Sequence, residues 1–418
     1  MYALEERHID HALCSNTCRY LLELKGRLDA DAFREKVNAH PDLRWLASLS
    51  PVKSWAFAIP VWKVTHGVQA IPVLVHQTDE LMPSAILNRK LSPHTPPFVT
   101  FDILERSDGN SALIMSWHHL HMDGYGVVLL LKQLAGLSTD ERLHVMTDNG
   151  DAPLPLRLLA NATRAKFFVD RISRKPLSAL PIPKNAKPTG QKMRVIKFTE
   201  EESLRIDENG PRLGAQFGRS ALFLAAITRC VAAFIRNKGG AIHDFWIPVP
   251  KDQRKKGAAG PLLGNHLSFL FYRVRKQHLT SLSACVKSVN DQMVEQLRSN
   301  MSRDYDILMR FLRRTPLPLY YYWIKGPQGG SLASFLFTVA ADHPADFTTF
   351  DGQPIRDAWS FPSNIFPPGL TFAFMRFGRH LHVMAMYVED VINDIEMDAL
   401  EAQLRYELLE GTEYPSHA

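Results

Sequence analysis

Cysteine is scarce. Four in 418 residues are far too few for a disulfide scaffold. Cys14 and Cys18 stand four apart, with no His or Cys cluster near enough to complete a zinc site, so reduced thiols and no metal are expected. Long hydrophobic runs are missing as well. The longest, Ala221 to Ile235, is interrupted by Thr228 and Arg229 and falls short of the ~20 apolar residues of a spanning helix. The N-terminal residues carry neither a basic n-region nor an apolar h-region, which argues against a secretory signal. A cytoplasmic protein without a transmembrane segment is the expectation. Self-similarity at short period is absent, which excludes solenoids and propellers. A large charge excess is also lacking. The net charge is +6 and the pI near 9.0, and no stacking aromatics interleave the basic clusters, so nucleic acid is not an expected partner.

What is present reads as globular. Hydrophobic residues make up 45% and charged residues 22%. The length suits two to three domains or one large pseudo-repeat. The first part alternates strand and helix patterns. A turn and amphipathic helix are expected over 26–40, with Leu28, Phe33 and Val37 on one side. Strands are expected at 55–64 and 71–77 and a helix at 79–91. Strands at 98–104 and 112–118 flank the turn residues Ser107-Asp108-Gly109-Asn110 and read as a hairpin. Prolines break the stretch from about 146 to 192 into a connector with a short helix at 156–173. The second part repeats the mixed pattern. Strands are expected at 193–199, 242–249, 267–274, 335–340, 370–377 and 381–387, and helices at 219–238, 279–300 and 394–409. Two α/β halves with mixed sheets follow from this order.

The basic residues are clustered. Arg171, Arg174, Lys175, Lys184, Lys187, Lys192, Arg194 and Lys197 lie between Asp170 and Glu200 with no acid among them. Lys251, Arg254, Lys255 and Lys256 form a second knot. Each cluster reads as a solvated surface or as an attraction for an acidic partner.

One segment carries chemistry: Ser116-Trp117-His118-His119-Leu120-His121-Met122-Asp123-Gly124. An apolar strand runs into two adjacent histidines, and an Asp-Gly pair then opens an apolar helix. Histidine suits general acid–base work because it titrates near operating pH. Neighbouring side chains at a strand end point to opposite sides, so one imidazole can face a cleft while the other faces inward. Asp123 can cap the helix or pair with a buried arginine. Gly124 permits close backbone packing, and His121 reads as a cleft-lining or surface residue.

This string resembles the HHxxxDG motif of the CoA-dependent acyltransferase superfamily. That group includes chloramphenicol acetyltransferase, condensation domains of nonribosomal peptide synthetases and bacterial wax ester synthases. The flanks extend the resemblance. Gly26-Arg27-Leu28-Asp29 leading to His40-Pro41-Asp42-Leu43-Arg44 is similar to the condensation-type start. Ile247-Pro248-Val249 to Arg254, followed by Gly264-Asn265, is similar to a "P-V-x-x-R … G-N" segment of the family's second half. Two blocks of related branches are missing: the "DFGWG" of plant BAHD enzymes, and the "ND" helix motif of wax synthases before Ala221.

The resemblance implies two chloramphenicol-acetyltransferase-like halves in a V shape with a tunnel between them. The halves are expected at 1–175 and 193–418. It implies that His119 is the catalytic base and that no covalent acyl-enzyme forms. His118 would be structural, Asp123 would form a salt bridge with Arg254 as its partner, and Gly124 completes the motif. Asn265, Ser268, Ser363 and Asn364, with His121, are candidates to line the tunnel. The donor would be acyl-CoA or an acyl-phosphopantetheine on an acyl or peptidyl carrier protein acting in trans, since no carrier or adenylation signature is present. The acceptor would be a small hydroxyl or amine, the product an ester or amide of lipid or secondary metabolism. No permanently bound cofactor is implied, and a monomer is expected. Two other readings stand beside this one: a non-catalytic condensation-like module that recruits a partner to an assembly line, and a metal-dependent hydrolase, which would need bound zinc.

Overall fold

A computed structural model describes residues 16–52, 61–64, 69–92, 95–137, 155–182, 190–255, 257–258, 260–312, 315–316, 319–320, 322 and 333–411. Its strands, in chain order, are β1 (Thr17–Leu24), β2 (Leu49–Val52), β3 (Val61–Val64), β4 (Val73–Gln77), β5 (Val99–Glu105), β6 (Ser111–His118), β7 (Gln191–Lys197), β8 (Phe245–Asp252), β9 (Leu267–Val274), β10 (Leu336–Val339), β11 (Thr349–Phe350), β12 (Gln353–Phe361), β13 (Leu370–Phe377) and β14 (His380–Val388). A six-stranded sheet runs β11-β12-β1-β6-β5-β4, and a four-stranded sheet runs β10-β13-β14-β7. Each contains one parallel pair, β4 with β5 and β10 with β13, so both are mixed, as the alternating sequence pattern predicts.

The first sheet does not close within the first part of the chain. β12 comes from far along the sequence and pairs antiparallel with β1, Trp359 opposite Leu21. On its other side β1 pairs with β6, Leu21 opposite Ile114 and Thr17 opposite His118. Directly opposed residues share a face. Arg19, Leu21 and Glu23 therefore lie on one face with Ser116 and Ile114 of β6, and with Phe361, Trp359 and Asp357 of β12. Methionines of the second sheet, Met193, Met375, Met384 and Met386, pack into the core of the first. Their flexible thioethers suit an irregular seam between two twisted surfaces. At one end of the seam Trp359 stacks on His382, ring centroids 3.9 Å apart, and Lys197 pairs with Asp357 at 2.5 Å.

The helix Ser220–Asn237 is apolar and long enough to cross a membrane by composition alone, but 78% of that stretch is buried inside the fold. It is the central helix of the second core, packing on Phe372 and Phe374 of β13 and on Val286 and Val289 of the helix Leu282–Arg298.

Several local expectations change. The helix expected over 79–91 is one turn, Ser84–Leu87, starting at Pro83. Buried Arg19 donates to the Ile86 carbonyl of this turn at 3.0 Å and to the Arg89 carbonyl just past it at 2.6 Å. Of the strand expected at 55–64, only Val61–Val64 falls among the described residues, as does Cys18 but not Cys14. The basic connector is not one open surface. Lys192 pairs with Glu389 and Asp394, Arg194 with Asp398 and Glu401, and Lys197 with Asp357, while Arg171, Arg174 and Lys175 are exposed. Lys184, Lys187 and Lys256 lie outside the described residues.

Candidate active site

The motif begins where β6 ends. The strand is held on both sides past its last ladder pair: His118 N–H donates to the Phe98 carbonyl at 3.0 Å, and His119 N–H donates to the Asn16 carbonyl at 2.8 Å. His118 is fully buried, and its Nδ1 accepts from the Leu120 N–H at 3.2 Å. That bond fixes the tight turn after the strand, which His121 N–H closes onto the His118 carbonyl at 3.1 Å. His119 keeps part of its surface open, while its Nδ1 is sealed and has no hydrogen-bond partner.

Asp123 ends the turn and caps the helix Gly124–Leu134, accepting from the Gly126 N–H at 3.0 Å. It is 1% exposed, so its charge demands partners. Arg254 supplies two contacts, Nη2 to Oδ1 at 3.1 Å and Nη1 to Oδ2 at 3.0 Å. The His266 N–H supplies another to Oδ2 at 2.9 Å. Arg254 also donates to the Pro261 carbonyl at 3.0 Å and lies over the Tyr125 ring at 5.4 Å. A bidentate guanidinium–carboxylate pair with its remaining sites occupied is a rigid brace.

The segment Leu262–His266 clamps the motif turn from the far part of the chain. Gly264 N–H donates to the His121 carbonyl at 2.7 Å, and Asp123 N–H donates to the Gly264 carbonyl at 3.3 Å. Gly264 has φ +91°, a conformation that favours glycine. Asn265 Nδ2 donates to the carbonyls of His119 at 2.8 Å and Leu120 at 3.1 Å. Asn265 thus staples the turn, a more definite role than lining a cleft.

The close backbone approach expected at Gly124 occurs two residues later. A Cβ at Gly124 would meet nothing within 4 Å, whereas one at Gly126 would lie 2.1 Å from the Leu262 carbonyl oxygen. That carbonyl is backbone and cannot swing aside. Gly126→Ala is expected to cost about 1–3 kcal/mol, as overpacking does, and to lower activity by pushing the clamp off the turn. Chemical denaturation and turnover measured together check this.

The remaining candidates scatter. His121 is not at the surface: it is 4% exposed, stacked on Phe98 with the Trp62 ring tilted against it. Ser268 is buried in β9 and donates to the Ser302 carbonyl at 3.0 Å, which ties it to the helix Met301–Leu312 rather than to the motif. Ser363 and Asn364 follow β12 at the sheet end that carries His118, by the register of β1 with both neighbours. Asn364 Oδ1 accepts from Thr371 Oγ1 at 3.0 Å, and its Nδ2 is sealed without a partner. A cavity of about 540 Å³ opens between the helices Leu159–Ile172 and Leu282–Arg298, and no motif residue lines it. Among the described residues no group of three His, Cys, Asp or Glu is placed to hold a metal ion.

Burial sets the protonation of the histidines. Desolvation holds His119 below the usual imidazole value of 6.5, outweighing the Asp123 carboxylate and the Asn265 side chain, which pull the other way. The ring is therefore neutral at neutral pH, the form that accepts a proton. Activity that depends on this base is expected to be level above 6.5, with an acid limb below it in a kcat/KM profile. Desolvation pushes His121 down to about 3 and His382 to about 4. The unfolded chain protonates these rings near 6.5 and the folded one does not. Stability is thus complete above 6.5 and falls as pH drops toward 4, by up to about 1.4 kcal/mol per pH unit for each ring. Unfolding temperatures measured across that range check the slope.

No family model matches the sequence, and no curated protein does. The fold has clear counterparts. The first condensation domain of the calcium-dependent antibiotic synthetase, bound to a substrate analogue, superposes with a TM-score of 0.65 at 16% identity, over 98% of this chain and 94% of that one. The condensation domain of the monacolin K polyketide synthase MokA gives 0.64 at 12% identity, over 98% and 95%. The epimerization domain from the third module of tyrocidine synthetase B gives 0.61 at 14% identity, over 96% and 91%. At such identities the likeness establishes architecture and leaves the reaction to the site. This chain has the condensation-domain fold, two chloramphenicol-acetyltransferase-like halves in one polypeptide.

Proposed function

We propose that this protein is an acyltransferase, moving an acyl group from a thioester to a hydroxyl or amine to form an ester or amide. The observation that carries the reading is His119: a neutral, partly open imidazole at a strand end, on a turn held by the Asp123–Arg254 pair and the Asn265 staple. Such a ring can take the proton of an acceptor as that group attacks the thioester carbonyl, then return it to the departing thiolate. Each transfer balances, and the histidine ends as it began. No side-chain nucleophile is required. Cys18 and Cys285 are buried, and desolvation pushes both thiols up to about 12, which makes them poor thiolates.

The donor is an acyl-CoA or an acyl group on the phosphopantetheine of a separate carrier protein. Exposed Arg171, Arg174 and Lys175 favour the carrier, because they present unpaired positive charge to an acidic surface. Assaying matched acyl-CoA and acyl-carrier donors at low and high salt tests this. The carrier reaction is expected to be faster and to lose rate with salt, the CoA reaction to change little. Equal rates with both donors at every salt concentration contradict the carrier. Tight carrier binding with no acyl transfer would favour a recruiting module instead.

A further inference from the structure

The cavity of about 540 Å³ lies apart from the motif, and its volume falls within the roughly 300–1,000 Å³ of small-molecule sites. Three pieces of chain wall it. The helix Leu159–Ile172 contributes Phe168, Arg171 and Ile172, spaced three and four apart on one helix face. The helix Leu282–Arg298 contributes Ser288, Asp291, Gln292 and Glu295, again on one face. Arg273 and Arg275 stand two apart in extended chain at the end of β9, which puts both on the cavity side.

The walls are fixed by bonds that leave some charges unmatched. Gln292 pairs with the backbone as a neighbouring strand would: its Oε1 accepts from the Arg273 N–H at 2.9 Å, and its Nε2 donates to the Arg273 carbonyl at 3.1 Å. Gln296 does the same for Phe271, with both bonds at 2.8 Å. Arg273 Nη1 donates to the carbonyls of Ile172 at 3.0 Å and Arg174 at 2.8 Å. Helix, strand and helix thus form one frame. Within it, the Arg273 charge is met by Asp244 at 2.7 Å, and the Asp291 charge by Lys287 at 2.7 Å. Arg171, Arg275 and Glu295 take no part. Among the described residues no ion pair or hydrogen bond reaches their side chains, and Arg171 only lies over the Phe168 ring at 5.9 Å. The cavity is therefore polarised: two unmatched guanidinium groups on one side, one unmatched carboxylate on the other.

We propose that this cavity binds a small zwitterion, its phosphate held by Arg171 and Arg275 and its amine by Glu295. The charges decide the class. A phosphate monoester, close to dianionic at neutral pH, matches both guanidinium groups, and an ammonium matches the carboxylate. A carboxylate in place of the phosphate would leave one guanidinium unmatched. Guanidinium forks also suit phosphate oxygens geometrically. The site stands whether or not the protein transfers acyl groups.

Calorimetric titration of the full chain with phosphoethanolamine, inorganic phosphate and ethanolamine, with no thioester present, tests it. Phosphoethanolamine is expected to bind more tightly than phosphate, and ethanolamine not at all. Arg275→Ala should weaken phosphoethanolamine about tenfold, the loss of roughly one charge-assisted contact. Arg275 is chosen because Arg171 also belongs to the basic surface offered to a carrier. Glu295→Gln should spare phosphate and abolish the preference for phosphoethanolamine. Both side chains are exposed and unbonded, so both variants are expected to keep the wild-type unfolding temperature. No heat with phosphoethanolamine, or an affinity unchanged in Arg275→Ala, would overturn the site. Phosphate binding as tightly as phosphoethanolamine to wild type would overturn the zwitterion.

Discussion

Replacing His119 by alanine is expected to lower kcat/KM on the order of 10²–10⁴-fold, the range that positioned general bases supply. The unfolding temperature should stay within a few degrees of wild type. The two readouts separate because the ring contributes little to the fold: its Nδ1 has no partner, and the turn is held by its backbone carbonyl, which Asn265 grips whatever the side chain. His119→Gln is expected to be equally inactive, since a neutral amide cannot take a proton. Turnover by His119→Ala at the wild-type rate would remove the base from the mechanism.

Removing Asp123 should produce the largest loss of stability. In Asp123→Ala the Arg254 guanidinium, whose side chain is 3% exposed, is left without its main counter-charge. Breaking one partner of such a pair costs about 3–5 kcal/mol, a large share of a total near 5–15 kcal/mol. The Gly126 cap and the His266 N–H lose their acceptor in the same step. A double variant, Asp123→Leu with Arg254→Met, removes both charges and is expected to regain much of the lost stability. It should remain inactive, because the motif turn has lost its anchor. Denaturant midpoints for the single and double variants check the first part, turnover the second. A single variant as stable as wild type would contradict the brace.

Local chemistry written in one stretch was readable. The hairpin of β5 and β6, the capped helix at Asp123 and the His pair all sit in contiguous residues, where strand pattern, turn residues and capping signals agree. The pairing of Asp123 with Arg254, 131 residues apart, came from a family resemblance, since no local rule links residues at that distance.

Other elements were hidden for identifiable reasons. β1, TCRYLLEL, is buried almost throughout, so it lacks the alternation that marks a half-exposed strand. β12 carries Pro354, Arg356 and Asp357 and reads as a loop; only its pairing with β1 makes it a strand. The helix Glu200–Arg212 has a complete capping box of Thr199 and Glu202, but Gly210 and Pro211 near its end suggest a break. Gly126 leaves a trace in the sequence. A second glycine in the first turn of an apolar helix is disfavoured by about 1 kcal/mol, which needs a packing reason, and the Leu262 carbonyl is that reason. The resemblance singles out Asn265 but not its role as a staple, because by local rules a Gly-Asn pair reads as an ordinary turn.

The central claim is that a thioester acyl group passes directly to an acceptor with His119 as base. Measuring released thiol, acylated acceptor and the intact mass of the protein in one reaction tests it most directly. Thiol and product are expected to rise in equal amounts, to need both acceptor and His119, and to leave the protein mass unchanged. Thiol release without acceptor acylation, or a protein made heavier by one acyl group, would contradict it.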